Sequence, residues 1–197
     1  GVDLGTNLND GPFRDSLLAD AYRAAVATNS VSTVQTTDFE RWIPSLNVPT
    51  LWVLSPIGND SEVTGVLAAQ IPIETINAVL TGDERWKEQG LGDTGEVYVA
   101  GQDRLMRSIS RYLVEDPEGY AAAVIANGTP PAVAERVVAV NGTVLLQPVD
   151  TYSVNQALMG RTGTSISTSY VGAESITAYS PVEIDGVNWV AVAHIQT

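Results

Sequence analysis

Gly90-Leu-Gly-Asp-Thr-Gly-Glu-Val-Tyr-Val-Ala-Gly-Gln-Asp-Arg-Leu-Met-Arg-Ser108 decides how this chain is read. Gly90, Gly92 and Gly95 spell the G-x-G-x-x-G fingerprint of dinucleotide sites. That fingerprint works only when a strand precedes it and a helix follows, because the helix N-terminus must meet the pyrophosphate. Here the polar run 83–89 precedes, and the alternating segment Glu96-Val-Tyr-Val-Ala100 follows. The glycines are therefore read as a loop feeding a hairpin, with strands at 95–101 and 104–110 and a turn at Gly101-Gln-Asp103.

Outward from this stretch, the pattern divides the chain in two. Residues 14–28 carry apolar side chains at helical spacing (Leu17, Leu18, Ala21, Tyr22, Ala25, Val26), so a helix is expected. The segments 30–37, 50–57 and 62–71 read as strands, with a turn at 58–60. A short helix follows over 72–81, closed by Gly82. Beyond the hairpin, helices are expected from Pro117 to Asn127, over 132–140 and over 151–160, with a strand at 143–147. The last third is β: 164–170, 175–182 and 188–196, the last two joined by Asp185-Gly186, a strong hairpin signal. The expectation is an α+β protein: a first module over 1–82 and a second over 83–197, the second a five-stranded antiparallel sheet with helices on one face.

Composition excludes several classes of function. A chain of 197 residues can bury a substantial core. A net charge of −13 repels phosphate backbones, so no nucleic acid is expected as a partner. No run approaches a membrane span. Cysteine is absent, which removes disulfides, thiolate nucleophiles and cysteine zinc sites together. The chain opens without an initiator methionine and is expected to be a piece of a longer protein. The Asn-x-Ser/Thr triplets at Asn59, Asn127 and Asn141 read as turn chemistry.

The segment Gly90–Ser108, together with Asp3-Leu-Gly-Thr-Asn-Leu8, Gly65-Val-Leu-Ala-Ala-Gln-Ile71, Trp86 through Arg111, and the closing Ala178-Tyr-Ser-Pro181 and Trp189-Val190, resembles the Cache family of PAS-like sensor domains. It is most similar to the double-Cache extracytoplasmic regions of bacterial membrane-bound class III adenylate/guanylate cyclases and related receptors. The resemblance runs over the whole chain. It implies two PAS-like antiparallel modules with flanking helices and an ectodomain on the outer face of a bacterial plasma membrane. It also implies a small polar ligand, a cytoplasmic catalytic module in the same polypeptide as partner, and no enzymatic activity, cofactor or metal in this portion. Such regions begin with a long helix and a first hairpin that precede the Asp-Leu-Gly-Thr-Asn-Leu segment, so the distal module is expected to be truncated at its N-terminus. The alternatives are a structural dimerisation and signal-relay module without a ligand, and the sensor of a histidine kinase, phosphatase or chemoreceptor.

Candidate chemistry is sparse. His194, the lone histidine, lies in an apolar strand with no Gly-x-Ser-x-Gly elbow elsewhere, and reads as a structural residue rather than a catalytic base. Arg104, Arg107 and Arg111 are the densest cationic group; a guanidinium grips a carboxylate bidentately, so Arg107 and Arg111 are candidate ligand contacts, with pairing to nearby acids as the structural reading. Tyr98 and Tyr179 are candidate hydrogen-bonding walls of the second module. In the first, Asp38, Trp42 and Trp52 place a carboxyl beside aromatic faces, a combination that suits an ammonium group. Asp83, Glu84, Glu88 and Asp93 lack EF-hand spacing and read as a solvated acidic loop.

Overall fold

The computed structural model describes residues 7–59 and 62–197. Its chain folds as two compact units, one comprising 1–73 with 184–187 and the other 74–183 with 188–197. The Asp3–Thr6 part of the opening motif, and Asp60 of the expected 58–60 turn, lie outside the described residues.

The first unit packs one helix on a curled antiparallel sheet. Helix α1 (Leu17–Ala27) starts at Ser16, whose hydroxyl accepts the Ala19 N–H. Two further N–H groups of its first turn, from Leu17 and Leu18, donate to the carboxylate of Glu40 at 3.1 and 3.2 Å, a favourable place for negative charge. The strands are β1 (Gln35–Thr36), β2 (Glu40–Trp42), β3 (Val48–Asn59) and β4 (Glu62–Pro72), and β3 pairs with all three others. Leu18, Trp42, Trp52 and Leu54 form the core, with Phe13, Tyr22 and Val66 packed against it. The expected strand over 30–37 is reduced to two residues. Ser30 and Thr33 spend their hydroxyls on local backbone and on Thr28, which turns the chain instead of extending it.

In the second unit, α2 (Ile73–Thr81) leads through the glycine-rich loop to a four-stranded sheet in the order β5-β8-β7-β6. These strands are β5 (Glu96–Gly101), β6 (Gly163–Thr168), β7 (Glu174–Val182) and β8 (Trp189–Gln196), all antiparallel to their neighbours. Helices α3 (Arg111–Glu115), α4 (Pro117–Ala126), α5 (Pro131–Val140) and α6 (Tyr152–Leu158) complete it. Tyr98, Met106, Leu113, Tyr120, Val124, Val154, Tyr170 and Val192 are among the side chains of its core.

The sheet has four strands where five were expected. The segment after the Gly101 turn makes single bridges only, Ala100 to Met106 and Leu105 to Pro148, and then departs. Side chains take its place in the ladder: the Ser108 hydroxyl accepts the Val99 N–H, and Thr143 donates to the Ser108 carbonyl. The expected strand at 143–147 is also absent, because Leu145 sits at φ 59° and folds that stretch into a turn. α3 was not foreseen; Ser110 caps it by accepting the Leu113 N–H.

Candidate functional site

The glycine loop holds a cation of the protein itself. Arg111 is 1% exposed. Its Nη1 donates to the carbonyls of Gly92 and Gly95 at 3.1 and 2.6 Å, and its Nε donates to Glu115 at 2.9 Å. Its guanidinium also lies 5.2 Å from the ring centre of Trp86. Gly92 adopts φ +60°, and a Cβ on Gly95 would lie 2.2 Å from the Leu91 carbonyl oxygen, so this path suits glycine. The loop thus presents carbonyl oxygens inward, the opposite polarity from the N–H groups that cradle phosphate.

Arg107 is likewise committed. Its guanidinium folds back on its own turn, donating to the Leu105 carbonyl and to Asp103, each at 3.0 Å. Arg104 pairs with Asp150 at the surface. Both candidate arginines therefore make buried links within the protein, and the expected second strand that was to carry them into a pocket wall is not formed.

Tyr98 and Tyr179 lie in one row of the sheet, each opposite Val192 of the strand between them. Tyr98 is buried in the core and hydrogen-bonds Thr151; burial drives its hydroxyl pKa above the ordinary tyrosine range. Tyr179 is half-buried, edge-on to Tyr152 at 6.4 Å. The helix-covered face of this sheet is thus filled by side chains. A cleft of about 280 Å³ opens beside α3 and α4, lined by Tyr112, Glu115, Tyr120, Val171 and Gln196. Its Tyr112 hydroxyl donates to the Thr94 carbonyl and accepts from Gln196, and its Tyr120 hydroxyl donates to Gln147.

A buried polar cluster underlies this unit, and it was missed in the sequence. Glu96 is fully buried at the start of β5. One carboxyl oxygen accepts the Arg111 N–H at 2.7 Å; the other accepts the Tyr170 hydroxyl at 2.7 Å and lies 3.0 Å from His194 Nε2. Ser110 Oγ is 2.7 Å from the same Tyr170 hydroxyl, and Tyr98, Tyr112 and Tyr170 ring His194. His194 is wholly enclosed, where a partly buried residue was expected. Glu96 left no signal, since a glutamate after a glycine-rich loop reads as surface.

In the first unit, the structure brings Trp42 and Trp52 together. Their rings meet edge to face at 5.4 Å, and Phe13 tilts on Trp42 at 4.6 Å. Asp38 is next in sequence to Thr37, which exchanges two hydrogen bonds with the Trp52 backbone. Gln70, paired with Trp52 across β3 and β4, is held by Thr50 and Ser45. Trp52 is 7% exposed, and its indole Nε1 has no hydrogen-bond partner. A buried donor left unpaired costs about 1–3 kcal/mol. This donor lies at a strand centre, beside an aromatic neighbour.

No protein-family model matches the sequence, and no curated protein matches it. Solved structures do match the fold. The ligand-binding domain of the Pseudomonas fluorescens chemoreceptor CtaA, in complex with L-leucine, is similar at TM-score 0.51 and 12% identity, covering 98% of this chain and 62% of that one. The ligand-binding domain of the Pseudomonas aeruginosa amino acid chemoreceptor PctB, in complex with L-arginine, gives 0.52 and 13%, covering 97% and 63%. The periplasmic sensory domain of the Campylobacter jejuni chemoreceptor Tlp1 gives 0.50 and 12%, covering 92% and 55%. The chain spans less than two thirds of each of these structures. The architecture is the mixed α+β, PAS-like arrangement of Cache-type sensor domains. Among the described residues, no helix is long and apolar enough to cross a membrane.

Proposed function

We propose that this chain is an extracytoplasmic ligand-sensing domain, and that its first unit receives a small polar ligand with both a carboxylate and an ammonium group. The observation that carries this reading is the buried, unpaired indole N–H of Trp52. A ligand carboxylate or carbonyl supplies the missing acceptor. The faces of Trp42 and Trp52, with Asp38 on the adjoining loop, suit the ammonium end. The similar structures support the class of ligand, since those of CtaA and PctB hold amino acids. They also favour a receptor of the chemoreceptor kind as the parent protein over a nucleotide cyclase, for which no observation speaks. Tyr98, Arg107, Arg111 and Tyr179 belong, in this reading, to the framework of the second unit.

A thermal-shift screen of L-amino acids and simple amines tests the proposal. A hit should raise the melting temperature by a few degrees at saturating ligand. Trp52→Phe, which removes the N–H and keeps an aromatic ring, should abolish that rise. A rise that survives in Trp52→Phe overturns the assignment of the site.

A further inference from the structure

We infer that the cleft beside α3 and α4 binds a small organic cation with one positive charge, an amine on a short apolar body. This site lies wholly within the second unit and is separate from the one proposed above. Three observations carry it.

First, the cleft suits a compact, partly apolar guest. It encloses about 280 Å³, at the small end for ligand pockets. Tyr112, Tyr120, Ala123 and Val171 line it. The two tyrosine hydroxyls already donate to the Thr94 carbonyl and to Gln147, so what these residues offer a guest is chiefly aromatic surface. Aromatic rings attract cations.

Second, the unspent polar atoms of the lining side chains are chiefly acceptors. Glu115 receives Arg111 on Oε1, Asp116 receives the Gly119 N–H on Oδ1, and Gln196 donates through Nε2 to Tyr112. Their remaining oxygens, Glu115 Oε2, Asp116 Oδ2 and Gln196 Oε1, take no hydrogen bond among the described residues. An ammonium group brings three donors and no acceptor, the complement of this set. An anionic guest would meet two carboxylates and be repelled.

Third, the charge balance sets the guest at one positive charge. Arg111 answers Glu115 at 2.9 Å. Asp116 makes no ion pair among the described residues, and its place is fixed because it caps α4. The two acids and one arginine therefore leave a single negative charge unanswered. A monoamine neutralises it, whereas the carboxylate of an amino acid would be set against it, which separates this site from that of the first unit.

The test uses the Trp52→Phe chain, so that binding in the first unit cannot supply the signal and failure here leaves that reading standing. Calorimetric titration near neutral pH compares benzylamine with benzyl alcohol, its uncharged counterpart. Benzylamine should bind at one site and weaken with added salt, and the alcohol should bind at least about fivefold more weakly. Asp116→Asn keeps a good helix cap and removes the charge, and should lower benzylamine affinity by a similar factor without changing the circular dichroism spectrum. Ala123→Leu keeps a helix-forming residue, fills the cleft, and should abolish binding. No benzylamine binding, equal binding of the alcohol, or undiminished affinity in Asp116→Asn would each overturn the inference, as would full affinity in a folded Ala123→Leu chain.

Discussion

Replacing Glu96 by alanine tests the buried cluster of the second unit. The carboxyl accepts from the Arg111 N–H and the Tyr170 hydroxyl and contacts His194 Nε2, all out of water. The substitution leaves three buried polar groups without a partner, each costing about 1–3 kcal/mol. Ser110 can take the Tyr170 hydroxyl proton in exchange, since their oxygens already lie 2.7 Å apart. Two uncompensated groups and a cavity remain, so a loss of at least ~3 kcal/mol is expected. For a chain of this size that corresponds to about 6–12 °C in melting temperature. Glu96→Gln keeps the size and one acceptor oxygen, and should recover more than half of the loss. Paired thermal and urea unfolding of the two variants supplies the test. An alanine variant within about 1 kcal/mol of the parent would refute the reasoning, as would a glutamine variant no better than alanine.

Other perturbations follow from the same geometry. Arg111→Ala removes the donor from the Gly92 and Gly95 carbonyls together with the Glu115 pair; with Glu115 partly exposed, about 2–3 kcal/mol should be lost in urea unfolding. Alkaline pH should unfold the second unit. Burial holds the hydroxyls of Tyr98, Tyr120 and Tyr170 above the usual value of 10 and pushes Tyr112 up to about 12. The folded state therefore keeps protons that the unfolded chain releases, and stability, complete below pH 10, should fall as pH rises from 10 toward 12 and beyond. Melting temperature against pH, read beside tyrosinate absorbance, checks the sign; a flat profile above pH 10 would contradict it.

The sheets were legible because their causes are local. The run Glu62–Pro72 has an extended pattern without helical spacing, and Asp185-Gly186 between apolar segments leaves β7 and β8 little choice but to turn back on one another. Helix α6 announces itself through its apolar spacing and a threonine cap. What stayed hidden depends on where side chains spend their polar atoms. The stretch from Arg104 to Ser110 alternates like a strand, yet Arg107 and Ser108 take up the backbone groups that a ladder would use. Arg111 reads as a ligand-gripping cation until Gly92 and Gly95, which are nearly twenty positions away, turn their carbonyls toward it. Glu96 and Tyr170 are far apart in sequence, and nothing in either neighbourhood marks a buried pair. Trp42 and Trp52 were recognisable as a pair of aromatic residues near Asp38, but the unpaired indole nitrogen emerges only from the packing around it.

The most direct measurement of the central claim is the indole N–H resonance of Trp52 during titration with the ligand found by the thermal screen. The account predicts that this proton moves downfield to saturation as it gains an acceptor, while that of Trp189 in the other unit stays in place. A ligand that binds and leaves the Trp52 resonance unmoved would contradict it.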